Sequence, residues 1–314
     1  MLAVDLGGSL TKIAYAHPRG RLSATDRVRT DLSGGSDGLV TWLADQISHH
    51  VAARPAEVCV GYGVVVPGII DTGAGRVVAA PNVGWYDVSL RERLTELTGL
   101  PGAVAHDVRS AGLAEWRIGP WRDVSNLLFL PLGTGIAGAM VVDGRLLDGG
   151  GYAGEVGHIR VHAAGDLACA CGQVGCLETV ASASGVVRSY RGLTEGRDQP
   201  GAAPGSALVD ARHVADLARS GDVSARAAFA IAADALTEAL LLYLTLLGPE
   251  LILVGGGLSA SADLFLPQVE RGLRARVAFQ RMPRIATATL GADAGVLGAG
   301  LVGWDHAGQQ EATA

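Results

Sequence analysis

Two short apolar segments, LAVD at residues 2–5 and NLLFLPL at 126–132, each run into a glycine turn and then resume an apolar pattern, KIAYA and AMVV. Apolar runs broken by glycine read as strands joined by tight turns. The two hairpins lie about 125 residues apart. The chain is therefore expected to fold as two similar halves facing one another, built from alternating strands and helices. Its 314 residues are too many for one ordinary core, and a 49% apolar content can bury two.

The turns themselves point to an anion. Gly7, Gly8 and Ser9 in the first, and Gly133, Thr134 and Gly135 in the second, let backbone N–H groups approach a charged ligand closely. Lys12, beside the first turn, is the only lysine among 25 basic side chains, the rest being arginine. A compact ammonium that can follow a phosphate explains its retention. A third cluster, Gly255, Gly256 and Gly257, follows the apolar run ELILV and precedes a helical pattern. It suits the base or sugar of a nucleotide. Three such turns favour an α/β protein with a nucleotide in an interdomain cleft.

Charge and hydropathy narrow the partners. A net charge of −6 without blocks disfavours nucleic acid and anionic membrane. The longest apolar region, ALLLYLTLLG at 239–248, reads as too short to span a bilayer, and no leader-like segment opens the chain. A small-molecule partner and a cytoplasmic location are expected. In a reducing compartment the cluster CACGQVGC at 169–176 calls for metal ligation rather than disulfides, since three thiols cannot all pair among themselves. The upstream histidines are His158 and His162. His158, Cys169, Cys171 and Cys176 make a closed Cys3His set for tetrahedral zinc, with Gly172 and Gly175 supplying the turn. A closed site is structural, so the catalysis lies elsewhere.

Several motifs together resemble the ROK family of repressors, open reading frames and sugar kinases. They are DLGGSLTK, GVVVPGIID, APNVGW, HDVRSAGLAEW, LGTGIAGAMVVDGRLLDGGGYAGEVGH, the GH-x10-C-x-C-G-x2-G-C-x-E pattern, LVGGGLS and LGADAGVLGAGLVG. The resemblance implies a two-domain actin-like (ribonuclease H-like) ATPase fold. It places residues 1–118 and about 293–314 in an N-terminal domain and 119–292 in a larger one, with a hinge near Gly119 and Pro120. It also implies transfer of phosphate from ATP, with Mg2+, to a sugar hydroxyl, the 6-hydroxyl of a glucose-like sugar being expected, and a homodimer.

The same resemblance implies roles. Asp107 is expected to accept the proton of the attacking hydroxyl; the alternative for an acid ahead of VRSAGLAEWR is a helix N-cap. Asp5 is expected to hold Mg2+ through water. Glu155, His158 and Glu178 would grip sugar hydroxyls, and zinc on one nitrogen of His158 would leave the other N–H free to donate. Asn82 and the backbone at Gly68 complete the sugar site, while Trp85 reads as a core or rim aromatic. His106 departs from the family's asparagine. Its ring offers one donor and one acceptor, and can titrate near neutrality, so an aminosugar (kanosamine-like) or a cyclitol becomes an alternative acceptor. A sugar-sensing regulator of the family would carry a helix-turn-helix ahead of the first turn, for which a strand starting at Leu2 leaves no room. A catalytically inactive sugar-binding form is disfavoured by Asp5, Lys12 and Asp107. Two carboxylates alone would also suit glycoside hydrolysis, but that leaves the glycine turns unexplained. The segment 192–212, rich in glycine and proline, reads as a surface loop.

Overall fold

The computed structural model describes residues 1–55, 58–194 and 209–313. Most of the 192–212 segment lies outside the described residues.

The chain divides into two compact units. Unit 1 comprises Met1–Asp123, Leu146–Ala153 and Thr289–Ala314; unit 2 comprises Val124–Arg145 and Gly154–Ala288. The boundary thus falls a few residues beyond the expected hinge at Gly119 and Pro120. The segment Leu146–Ala153 belongs with unit 1, an excursion the sequence did not signal.

Unit 1 is built on β1 (Leu2–Leu6), β2 (Leu10–Ala16), β3 (Leu22–Arg29), α1 (Gly35–Ala52), β4 (Tyr62–Val66), the ribbon β5 (Ile69–Asp71), β6 (Arg76–Ala80) and β7 (Trp85–Val88), then α2 (Leu90–Thr98), β8 (Gly102–His106) and α3 (Asp107–Arg117). Its main sheet runs β3-β2-β1-β4-β8. The β1–β2 hairpin is antiparallel, and β4 and β8 add in parallel. Because strand side chains alternate between faces, Leu2, Val4 and Leu6 join one core with Leu39, Leu43 and Ile47 of α1. Ala3, Val65 and Ala105 face the other side against Val296 and Ala299, a core of small residues. Trp85 is fully buried and its indole N–H donates to the Ser36 carbonyl, so it is a core residue.

Unit 2 repeats the plan with β9 (Leu127–Pro131), β10 (Ala139–Val142) and β11 (Arg145–Leu146). Helices α4 (Glu178–Ala181), α5 (Ala183–Thr194), α6 (Ala211–Ser220) and α7 (Val223–Leu247) precede β12 (Leu251–Gly255), α8 (Leu266–Arg276) and β13 (Arg284–Thr287). The sheet order is β11-β10-β9-β12-β13, again an antiparallel hairpin flanked by two parallel strands. The expectation of two similar halves is met at the level of strand order and direction. The apolar stretch at 239–248 proves to be the end of α7, a 25-residue helix that length and composition alone would allow to cross a membrane. This corrects the sequence reading. In the structure α7 buries Phe229, Leu236, Leu240 and Leu244 and packs on α5 and α8, as a core helix does. The chain returns to unit 1 through α9 (Ala294–Thr313), which packs on β1, β4 and α3.

Candidate functional site

In unit 1 the register of the first hairpin sets Asp5 directly opposite Lys12. The ammonium lies 3.9 Å from Asp5 Oδ2 and donates to the Ala292 carbonyl just ahead of α9. The turn of Gly7, Gly8 and Ser9 is braced from below: the Thr30 hydroxyl donates to the Gly7 carbonyl at 2.7 Å and pairs with Thr11 at 2.9 Å. Close packing of α9 depends on Gly295, where a Cβ would lie 2.4 Å from Asp5 Oδ2. Burial raises the Asp5 carboxyl to about 6, with Lys12 opposing and Asp107 adding to the rise. A carboxylate so placed has strong reason to take a hard cation, and Mg2+ prefers such oxygens.

Asp107 is the first residue of α3, but it is not the cap. His106 caps the helix, its Nδ1 accepting from the N–H groups of Val108 at 3.1 Å and Arg109 at 3.2 Å. The capping alternative raised for Asp107 therefore falls to its neighbour. Asp107 Oδ1 accepts from the Val108 N–H at 2.6 Å, and burial holds its carboxyl above the usual range. The reading of His106 needs correction in two respects. Its acceptor nitrogen is occupied by the helix, leaving Nε2–H as a donor only. Burial and the nearby Arg109 charge also lower its pKa to about 3, so it does not titrate near neutrality. Gly68 sits between β4 and β5 at φ +110°, and a Cβ there would lie 2.2 Å from the Ala79 carbonyl. Asn82 is exposed in the helical turn Pro81–Val83.

In unit 2 the turn of Gly133, Thr134 and Gly135 is held by Glu178. Its Oε2 accepts from the Ile136 N–H at 2.8 Å, while Gly133 N–H donates to the Gly135 carbonyl at 3.0 Å. Glu178 opens α4, two residues after Cys176. Gly255 ends β12, and Gly256 and Gly257 lie exposed before a run of 3-10 turns that leads to α8.

The His158, Cys169, Cys171 and Cys176 ligand atoms all lie within 4.8 Å of one another. Cys171 Sγ is 3.7 Å from Cys176 Sγ, and Cys169 Sγ is 3.7 Å from His158 Nδ1. Zinc–sulfur bonds of about 2.3 Å in a tetrahedron give edges of about 3.8 Å, so the donor set fits zinc. Nδ1 faces the cluster, and Nε2 lies 3.8 Å from Glu155 Oε2. His162 is elsewhere, its backbone N–H donating to Glu238.

The structure therefore gathers Asp5, Lys12, Asp107, His106, Gly68 and Asn82 in unit 1. Glu155, His158, Glu178, the cysteines and the other two glycine clusters lie in unit 2. Sequence reasoning missed Arg109. It is 3% exposed, its Nη1 donates to the carbonyls of Gly151 at 3.0 Å and Ala153 at 2.9 Å, and Nε lies 3.5 Å from Asp148. An arginine on the apolar face of VRSAGLAEW was the available signal. Tyr243 of α7 was also missed; burial and the Glu155 charge push its phenol up to about 12.

The sequence matches the ROK family over residues 1–303. A glucokinase of Halalkalibacterium halodurans is 34% identical over 311 residues, covering 95% of this chain and 93% of that one. A ROK family glucokinase structure from Streptomyces griseus, in complex with glucose and AMPPNP, superposes with a TM-score of 0.80 at 29% identity, covering 97% and 99% of the two chains. A xylose repressor of Caldicellulosiruptor bescii is 26% identical over 88% of this chain and 70% of its own. The chain belongs to the ROK family. It has the actin-like ATPase fold and is an ATP-dependent sugar kinase, with ATP and Mg2+ as its phosphoryl donor system.

Proposed function

We propose that this kinase moves the γ-phosphoryl group of ATP to the 6-hydroxyl of a glucose-like sugar, with Asp107 as base. The 6-oxygen forms a bond to phosphorus, the bond to the ADP oxygen breaks, and the hydroxyl proton passes to Asp107. In a loose transition state the proton leaves late, so orienting the hydroxyl counts for more than basicity. The observation carrying this reading is the placement of Asp107: a half-buried carboxylate at the first position of α3, open enough to meet a substrate hydroxyl and close enough to Asp5 to raise its pKa.

Lys12 and the N–H groups of Gly8 and Ser9 donate to phosphate oxygens, as do those of Thr134 and Gly135, while Gly7 and Gly133, whose N–H groups bond within their own turns, let the backbone approach closely. The Gly255, Gly256 and Gly257 backbone takes the nucleoside. Asp5 is the residue that would hold Mg2+, whose charge neutralises the phosphates when bound. Asn82, the Gly68 backbone, Glu155, Glu178 and His158 hold sugar hydroxyls. With Nδ1 turned to the zinc donor set, His158 presents Nε2–H on the side of Glu155, and the ion fixes that tautomer. A homodimer and a cytoplasmic location accompany this reading, and light scattering on the purified chain checks the first.

Glucose is the first acceptor to test, since it is the sugar in the Streptomyces griseus complex. His106 favours a second reading. With only Nε2–H to offer, it pairs with an acceptor on the substrate, either a hydroxyl of a cyclitol or of a sugar altered at carbon 3 or 4, or the unprotonated amino group of an aminosugar (kanosamine-like). ADP release with ATP, Mg2+ and a panel of hexoses, aminosugars and cyclitols decides the matter. Turnover with no member of the panel would remove the kinase assignment.

A further inference from the structure

Unit 1 contains a cavity of about 560 Å³ along the outer edge of β8, between α3, α9 and the Leu146–Asp148 segment. Its size falls in the range of small-molecule sites. The floor is apolar, formed by Ala103, Ala105, Leu113 and Val302. Charged groups converge on it: Arg91, Arg109 and Arg117 against Asp148 and Asp305.

These charges are unevenly satisfied. Arg117 pairs with Asp305 at 2.6 Å at the rim, both nearly half exposed. Arg109 lies at the wall near Asp148, held by the Gly151 and Ala153 carbonyls. Arg91 donates to the Gly73 carbonyl at 3.0 Å and meets no carboxylate among the described residues. The lining therefore holds one more guanidinium than carboxylate. Both histidines at the cavity, His106 and His306, are driven below their ordinary pKa by burial, His106 also by Arg109 and His306 by Arg91, so at neutral pH they add polarity rather than charge.

We propose that this cavity is a second ligand site, sharing only His106 with the residues assigned to phosphoryl transfer, and that it takes a small hydroxylated phosphate of sugar-phosphate size. The guanidiniums suit the phosphate, because planar donor pairs match its oxygens. The carboxylates and neutral imidazoles suit hydroxyls, and the alanine floor suits the carbon face of a sugar ring. A bare inorganic anion would leave the carboxylates facing it without hydroxyl partners, which disfavours it here.

Calorimetric titration of the full chain with glucose 6-phosphate tests the site, in parallel with Arg91→Ala, Arg117→Ala and Asp305→Asn. The expected result is binding that each arginine variant weakens about tenfold or more and that Asp305→Asn strengthens, with kinase turnover within about twofold of the parent in all three. Asp305→Asn releases Arg117 and tests the site by gain, so the outcome does not depend on either arginine variant folding. Inorganic phosphate should bind at least about tenfold more weakly than the sugar phosphate. Absence of binding, or binding that all three variants leave unmoved, overturns the cavity as the site; the latter would assign the sugar phosphate to the phosphoryl-transfer residues instead. Equal affinity for inorganic phosphate overturns the assignment to hydroxylated ligands.

Discussion

In unit 1 the hairpin built around the first glycine turn carries Asp5 on β1 and Lys12 on β2, directly opposite one another. In unit 2 the corresponding strands, LLFLP and AMVV, carry no charge at all, and the carboxylate at the turn comes from Glu178 at the start of α4. Two sheets of the same strand order thus place a carboxylate at a glycine turn in two ways. A carboxylate on a central strand is desolvated, and its pKa rises to about 6. A carboxylate at a helix start is half-buried and bonded to a backbone N–H, and it also meets the positive end of the helix. The difference teaches that unit 1 stores the chemical reactivity at some cost in stability, whereas unit 2 supplies a braced cradle, fastened by a metal donor set beside Glu178.

The most direct way to break this division is Asp107→Asn. Loss of the base should lower kcat by about a thousandfold, the usual range for removing a positioned proton acceptor, while leaving nucleotide binding and the fold intact. Steady-state kinetics with a calorimetric check on AMPPNP binding reads both. Near-normal turnover would take the reactivity out of unit 1.

Cys171→Ser probes the cradle. Wild-type protein should contain about one zinc per chain by elemental analysis, and the variant much less, since each ligand contributes to a site whose binding energy is folding energy. The expected penalty is about 1–3 kcal/mol, a drop of several degrees in Tm, together with a raised KM for sugar and little change in KM for ATP. The split between the two KM values matters most. A uniform loss would mean that zinc only supports the fold.

Much of this layout was legible in the sequence, and for physical reasons. Glycine pairs after apolar runs, a solitary lysine and a thiol cluster with a histidine ahead of it are each costly or rare without a purpose, so their chemistry survives the loss of three-dimensional information. What escaped was set by packing. That Leu146–Ala153 joins unit 1 follows from Arg109 reaching two of its carbonyls, and a guanidinium's reach is not written in a one-dimensional pattern. The sequence offers Asp107, expected as the base, as the alternative cap on α3, because aspartate is a common cap and histidine is not. The length of α7 is hidden in the sequence because its apolar character continues upstream as alanine, which reads less clearly than leucine.

Asp5 allows a sharper test through pH. Its native pKa of about 6 lies above the ordinary value of 3.8, so the folded chain binds more protons than the unfolded chain between those values. This group's contribution to stability therefore falls as pH rises from about 4 to 6 and is lost above that. Mg2+ must displace the proton, so its apparent affinity should fall up to about tenfold for each pH unit below 6. Asp5→Asn should flatten both profiles and raise Tm at pH 8 without Mg2+, while abolishing activity. A variant less stable than the parent at pH 8 would show that the Lys12 contact outweighs the burial cost.

His106→Asn is expected to have the smallest effect on rate and the most informative one on choice of sugar. Asparagine also caps helices well, so α3 should remain in place and kcat for the best substrate should change by only about threefold or less. What changes is the group facing the sugar, from a lone Nε2–H donor to an amide able to donate and accept. Sites that bond a buried hydroxyl discriminate strongly, so the ranking of kcat/KM across hexoses, aminosugars and cyclitols should shift toward plain glucose. The pH readout is independent of any substrate. With a native pKa of about 3 against 6.5 unfolded, His106 contributes stability in full above about pH 6.5, and that contribution is lost as pH falls toward 3. Between about pH 4 and 6 it opposes the trend from Asp5. The asparagine variant should consequently lose less Tm than the parent between pH 7 and pH 5. If its acid sensitivity is unchanged, His106 is not held neutral by burial. If the substrate ranking is also unmoved, the ring serves α3 alone and specificity resides elsewhere in the sugar site.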